Sequence, residues 1–290
     1  MRKIHLYLVL VFLIRAFPAF AATVDSIDIP SVAMKKTYKA VVVLPDSYKK
    51  NQSAYPVLYL LHGGGGHFRD WLTLTPDKMV VKNLADQYNL IIVMPEGETF
   101  GWYLNSPVNK ESQFESYIID DVITHIDKAY RTVKDRKGRV ITGLSMGGHG
   151  SLYLSARHPD LFCAAGSMSG AVDLNWANWT IRPDFLTRVK QGFQNLIGDT
   201  TNMALYASYS VVNMADKMST NNVRLIIDCG VDDFLIESNR ELHHRLVYNH
   251  TPHDYTEHPG AHTWDYWQNS LPYQVLFFYN ILKTNGAAVL

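Results

Sequence analysis

Gly143-Leu144-Ser145-Met146-Gly147 sets a serine between two flanking glycines. A serine hydroxyl is a weak nucleophile until a base takes its proton, and the base needs an acid to orient it. Candidates for both lie downstream. Asp232-Asp233 is one pair, and Glu257-His258-Pro259-Gly260-Ala261-His262 holds two histidines. Serine, acid, histidine is a chain order in which nucleophilic acyl chemistry is built. His262 is the natural base, with His258 as its competitor. Asp233 is preferred to Asp232, which could instead cap the helix expected near Phe234.

An attacked carbonyl develops negative charge, which needs backbone N–H groups converging on one point. Met146, directly after the serine, would supply one. The second is expected from His62-Gly63-Gly64-Gly65-Gly66, where glycine lets the backbone come close to a substrate. A phosphate-cradling loop is the rival reading. No Gly-Lys-Ser/Thr follows, so nothing would grip the β and γ phosphates. The His62 side chain is read as a support for this loop rather than as a reactant.

These groups need elements to position them. Strands are expected at Tyr38–Leu44, Pro56–Leu61, Leu90–Met94, Arg139–Thr142, Phe162–Ser167, Val223–Cys229 and His253–Glu257. The unbroken apolar runs among them suit a parallel sheet covered on both faces. Helices are expected at Met79–Tyr88, Phe114–Tyr130, Met146–Arg157, Leu235–Val247 and Trp264–Leu282, from apolar residues recurring at helical spacing. Residues 172–222 read as an irregular inserted loop. Strands and helices alternate throughout, so the economical fold is a single doubly wound, mostly parallel α/β sheet with helices on both faces. The strand Tyr38–Leu44 is expected to lie antiparallel at its edge. Ser145 then sits on a sharp strand-to-helix turn, the context its motif requires.

Composition narrows the classes. The chain has 290 residues, with 27 basic residues balancing 27 acidic ones, so no excess of charge points to a nucleic-acid partner. Aromatic residues make up 12%, which excludes disorder as the main state. Two cysteines, Cys163 and Cys229, cannot build a disulfide scaffold, and both are read as buried thiols. His243-His244, His253, His258 and His262 lack the spacing of a metal site. No cofactor is expected.

The N-terminus reads as an export signal. Met1-Arg2-Lys3 precedes an apolar run from Ile4 to Ile14, and Ala19-Phe20-Ala21 is a cleavage site with small residues at the required positions. The run is too short to span a bilayer stably. Residues 1–21 are therefore read as a signal peptide and 22–290 as the mature domain, periplasmic or secreted.

Four stretches together resemble the esterase D-like branch of the α/β-hydrolases. They are Tyr59-Leu60-Leu61-His62-Gly63, Gly143-Leu144-Ser145-Met146-Gly147-Gly148, Cys229-Gly230-Val231-Asp232-Asp233-Phe234-Leu235 and Gly260-Ala261-His262-Thr263-Trp264. The resemblance spans roughly residues 35–285. That branch includes S-formylglutathione hydrolases, tributyrin esterases, the antigen 85 mycolyltransferases, and the feruloyl and acetylxylan esterases of carbohydrate esterase family 1. The resemblance implies a serine esterase with nucleophile Ser145, acid Asp233, base His262, and oxyanion donors Gly64 and Met146. Ala261 departs from the branch, which often has a second glycine there.

Six tryptophans fall in or beside predicted loops at the active end, and aromatic faces suit sugar rings or a phenolic acyl group. Trp102, Tyr103, Trp176, Trp179 and Trp264 are the candidate substrate-binding residues. Among the activities of this branch, an export signal disfavours cytoplasmic glutathione-linked work. It favours removal of feruloyl or acetyl esters from xylan side chains. A general short-chain carboxylesterase is the second reading and an S-formylglutathione hydrolase-like thioesterase the third. A binding protein on an inactive hydrolase fold would lack a member of the serine, acid and histidine set, and none is missing.

Overall fold

The computed structural model describes residues 22–289, so the expected export signal at residues 1–21 lies outside the described residues. Eight strands form one sheet: β1 (Thr23–Ser31), β2 (Lys36–Leu44), β3 (Val57–Leu61), β4 (Ile91–Pro95), β5 (Arg139–Gly143), β6 (Ala164–Met168), β7 (Arg224–Gly230) and β8 (His253–His258). Their order across the sheet is β1-β2-β4-β3-β5-β6-β7-β8. The β1–β2 and β2–β4 pairs are antiparallel, and every pair from β4 to β8 is parallel.

Central strands explain the order. All five side chains of β3 are fully buried. Burying one such apolar side chain contributes about 1.5–3 kcal/mol, so this strand belongs in the middle. Its side chains alternate between two cores, because successive residues of a strand face opposite ways. Val57, Tyr59 and Leu61 join one core with Ile118, Ile126 and Leu152. Leu58 and Leu60 join the other with Val81, Leu84, Leu271 and Phe278. Helices thus cover both faces: 114–129 and Met146–Arg157 on the first, Val80–Tyr88 and Trp264–Thr284 on the second.

Two sequence expectations are corrected. The strand Lys36–Leu44 is antiparallel but not at the edge, because β1 covers it along nine residue pairs. β1 alternates only weakly, with Ile29 and Ser31 buried and most of its remaining side chains exposed, and so carries little apolar signal. Residues 172–222 are not irregular. They hold helices at Pro183–Leu196, Met203–Tyr209 and Ala215–Thr220. The first was legible: Pro183 at its start, Asp184 in the first turn, and Val189, Phe193 and Leu196 buried at helical spacing.

Candidate active site

The serine turn runs from β5 into the helix Met146–Arg157. Ser145 has φ 54° and ψ −115°, a conformation that costs a non-glycine residue about 1–3 kcal/mol. The turn is held in it. The Ser145 N–H donates to the Met168 carbonyl at 2.9 Å, and the Ser145 carbonyl accepts from Ala171 at 3.2 Å. Close approach does the rest. A Cβ on Gly147 would stand 2.6–2.8 Å from backbone atoms of Leu61 and His62, so only glycine lets the helix start against the end of β3.

Two further loops meet the serine. The loop after β7 carries Asp233 and the loop after β8 carries His262. They touch through glycine: a Cβ on Gly230 would lie 2.3 Å from the Gly260 carbonyl oxygen. Backbone bonds tie them, from the Val231 N–H to the His258 carbonyl and from the Asp232 N–H to the Gly260 carbonyl. His262 Nδ1 is 2.8 Å from Asp233 Oδ2, and His262 Nε2 is 2.9 Å from Ser145 Oγ. With the ring proton on Nδ1, His262 donates to Asp233 and accepts from the serine hydroxyl. Asp233 is buried, and its other oxygen accepts the Leu235 N–H at 2.9 Å. Asp232 is exposed. His258 is exposed too, with its ring 6.0 Å from that of Tyr273.

The glycine-rich loop follows β3. Neither the Gly64 nor the Met146 N–H has an acceptor among the described residues, and both residues line the cavity beside Ser145. A Cβ on Gly64 would be 3.9 Å from that of Met146. His62 braces the loop from behind, with Nδ1 2.9 Å from the Gly63 carbonyl and Nε2 accepting the Gly97 N–H at 2.9 Å.

The cavity holds about 510 Å³. Of the candidate substrate-binding residues, Trp102, Trp179 and Trp264 line it, together with Trp267. Tyr103 and Trp176 do not. Tyr103 is fully buried with its hydroxyl on the backbone of His62, and Trp176 packs edge-on against Tyr206 behind the inserted helices. Sequence reading missed Phe100, Phe185, Arg188 and Phe234, which also line the cavity. Phe185 and Arg188 sit on the helix Pro183–Leu196, so missing that helix hid them. Two other grooves, of about 630 and 610 Å³, contain none of Ser145, Asp233 and His262.

Elsewhere, His243 Nδ1 lies 2.8 Å from His253 Nε2, and the His243 ring stacks on Tyr255 at 4.2 Å. No group of three or more His, Cys, Asp or Glu residues suited to a metal ion occurs among the described residues. Cys163 and Cys229 are buried and unpaired, and burial pushes the Cys163 thiol up to about 11. No helix among the described residues is long and apolar enough to cross a membrane.

A mostly parallel sheet with a strained serine turn beyond one of its central strands is the α/β-hydrolase fold. The chain belongs to the family described as "Putative esterase", whose sequence model matches residues 31–278. An esterase of Mycobacterium tuberculosis is 31% identical over 248 residues, covering 76% of this chain and 51% of its own length. The chain thus spans about half the length of that relative. An acetyl esterase of Caldicellulosiruptor saccharolyticus is 26% identical over 256 residues, covering 83% of this chain and 92% of its own. Among solved structures, a ferulic acid esterase superposes with a TM-score of 0.74 at 27% identity, covering 91% of this chain and 99% of that one.

Proposed function

We propose that this protein is an exported serine esterase that removes feruloyl or acetyl groups from the side chains of plant polysaccharide such as xylan. The observation that carries the reading is the unbroken relay from Asp233 through His262 to Ser145, opening on an aromatic-walled cavity. His262 takes the serine proton as Ser145 attacks the ester carbonyl. The Gly64 and Met146 N–H groups hold the resulting oxyanion, the alcohol leaves, and water hydrolyses the acyl-enzyme. Asp233 keeps the His262 ring in the working tautomer. The reaction calls for no metal or cofactor.

The substrate class is supported by the acetyl esterase and ferulic acid esterase likenesses and by the aromatic walls, which suit a phenolic acyl group or a sugar ring. Residues 1–21 are the proposed signal peptide, and 22–290 form one esterase domain in which 172–222 is an insertion over the cavity. A periplasmic or secreted location follows from that leader. A general short-chain carboxylesterase is the second reading, favoured by the acetyl esterase relative.

The test is side-by-side quantification of ferulate and acetate released from feruloylated and acetylated arabinoxylan, with Ser145→Ala as blank. Ferulate or acetate release that depends on Ser145 is expected. Cleavage of small aryl acetates alone would leave the general carboxylesterase. Hydrolysis undiminished in Ser145→Ala would overturn the mechanism.

A further inference from the structure

Trp102 and Tyr103 are consecutive non-glycine residues in left-handed conformation, with φ 54° and 56°. Such strain persists only where surrounding structure imposes it. Here the surroundings are built around Tyr103. A Cβ on Gly97 would fall 2.5 Å from its ring, and one on Gly150 would fall equally close on its Cδ2. The twist sends the two side chains to different places. Trp102 lines the cavity and packs on Phe193 of the inserted helix, with ring centroids 4.8 Å apart. Tyr103 turns inward, fully buried, to the glycine-rich loop.

Its hydroxyl there makes two bonds to one residue. It accepts the His62 N–H at 3.1 Å and donates to the His62 carbonyl at 3.2 Å. Burial holds this hydroxyl well above the ordinary tyrosine range, so it stays a donor at any working pH. Directly after Gly64, the segment that carries Tyr103 closes the other side: the Gly65 N–H donates to the Thr99 carbonyl at 2.7 Å. Segment 97–103 therefore grips the loop on both flanks of Gly64.

We infer that Tyr103 is a positioning residue for the oxyanion hole, its hydroxyl pinning the His62 backbone so that the Gly64 N–H is aimed before substrate arrives. The inference rests on the proposed role of Gly64. Pre-aimed donors act on the charge of the transition state and much less on the neutral ester, so the hydroxyl governs kcat rather than KM. Through Trp102 the same strained pair connects the inserted helix and the cavity wall to that donor.

Tyr103→Phe removes only the hydroxyl. Loss of a whole oxyanion donor costs about 10²–10³ in kcat, and loosening one is expected to cost about tenfold to a hundredfold with KM unchanged. Affinity for an aryl boronic acid, which forms a tetrahedral adduct with the serine, is expected to fall by a similar factor. Active-site titration normalises for folded protein. Gly150→Ala is the second variant. It gains helix propensity while pressing on the Tyr103 ring, and the same paired losses are expected. Unchanged kcat and boronate affinity in either folded variant would overturn the inference. A wild-type protein lacking Ser145-dependent hydrolysis and boronate binding would overturn the esterase reading itself.

Discussion

The ring of Phe234 lies 4.7 Å from that of His262, tilted by 52°, so the residue directly after Asp233 also walls the histidine that Asp233 holds. Trp267 of the last helix also packs on that ring, edge-on at 4.8 Å. The loop that delivers the carboxylate thus also packs a ring against the histidine, and because Asp233 is buried a lower dielectric strengthens its bond to His262.

Opening that wall is expected to slow the reaction without unfolding the protein, since Phe234 is only half-buried and lines the cavity. Phe234→Ala should lower kcat/KM about tenfold through freer access of water to the pair. Steady-state kinetics on an aryl ester checks it, and an unchanged kcat/KM would deny the wall a role.

Neighbouring aspartates should differ sharply. Asp233 is buried against His262, whereas Asp232 is exposed. Asp233→Asn leaves the shape but disfavours the working tautomer, which in an analogous triad costs about 10⁴ in kcat. Asp232→Asn should stay within about twofold, as surface substitutions usually do. Equal losses in the two variants would sink the assignment.

The contact between β3 and the serine turn predicts a stability effect. Gly147→Ala forces a methyl group against the Leu61 and His62 backbone, which cannot yield as a side chain can. Overpacking of this kind costs about 1–3 kcal/mol or more. Nothing stands closer than 3.9 Å to a Cβ on Gly64, so Gly64→Ala should melt nearly as the wild type does. Thermal denaturation of the two variants decides the point.

Asp228 sits under the sheet end with Ser270 and Gln274 donating to one carboxylate oxygen. Burial outweighs those bonds and pushes its carboxyl up to about 6. An unfolded aspartate titrates near ~3.9. Between these values the native state binds more protons than the unfolded one, so this group's contribution to stability falls as pH rises. The loss is complete above about pH 6, and reaches roughly 3 kcal/mol. Asp228→Asn abolishes it. The stability gained by the variant should therefore be larger at pH 7.5 than at pH 4.5. Denaturant titration of both proteins at the two values checks this, and a difference independent of pH would contradict it.

Local pattern carried much of the architecture. The helix expected at Met146–Arg157 is the one observed, because a strand, two glycines and a serine within a few residues leave the backbone little choice. The central parallel strands β3 and β4 were legible because each is an apolar run that must be covered on both faces. β1 was not legible, since a strand with one face open to solvent carries few apolar residues.

The order of Ser145, Asp233 and His262 along the chain was readable too, as was the choice of loops. Sequence preferred Asp233 to Asp232, and in the fold Asp233 lies buried 2.8 Å from His262 while Asp232 is exposed. Side-chain direction was decided by three-dimensional packing. Tyr103 and Trp102 are adjacent and aromatic. Two positive φ angles send one to the cavity and the other to the His62 backbone. Spacing along a chain tells which groups are available. Side-chain direction depends on dihedral angles that distant neighbours impose, and those come into being only when the loops meet.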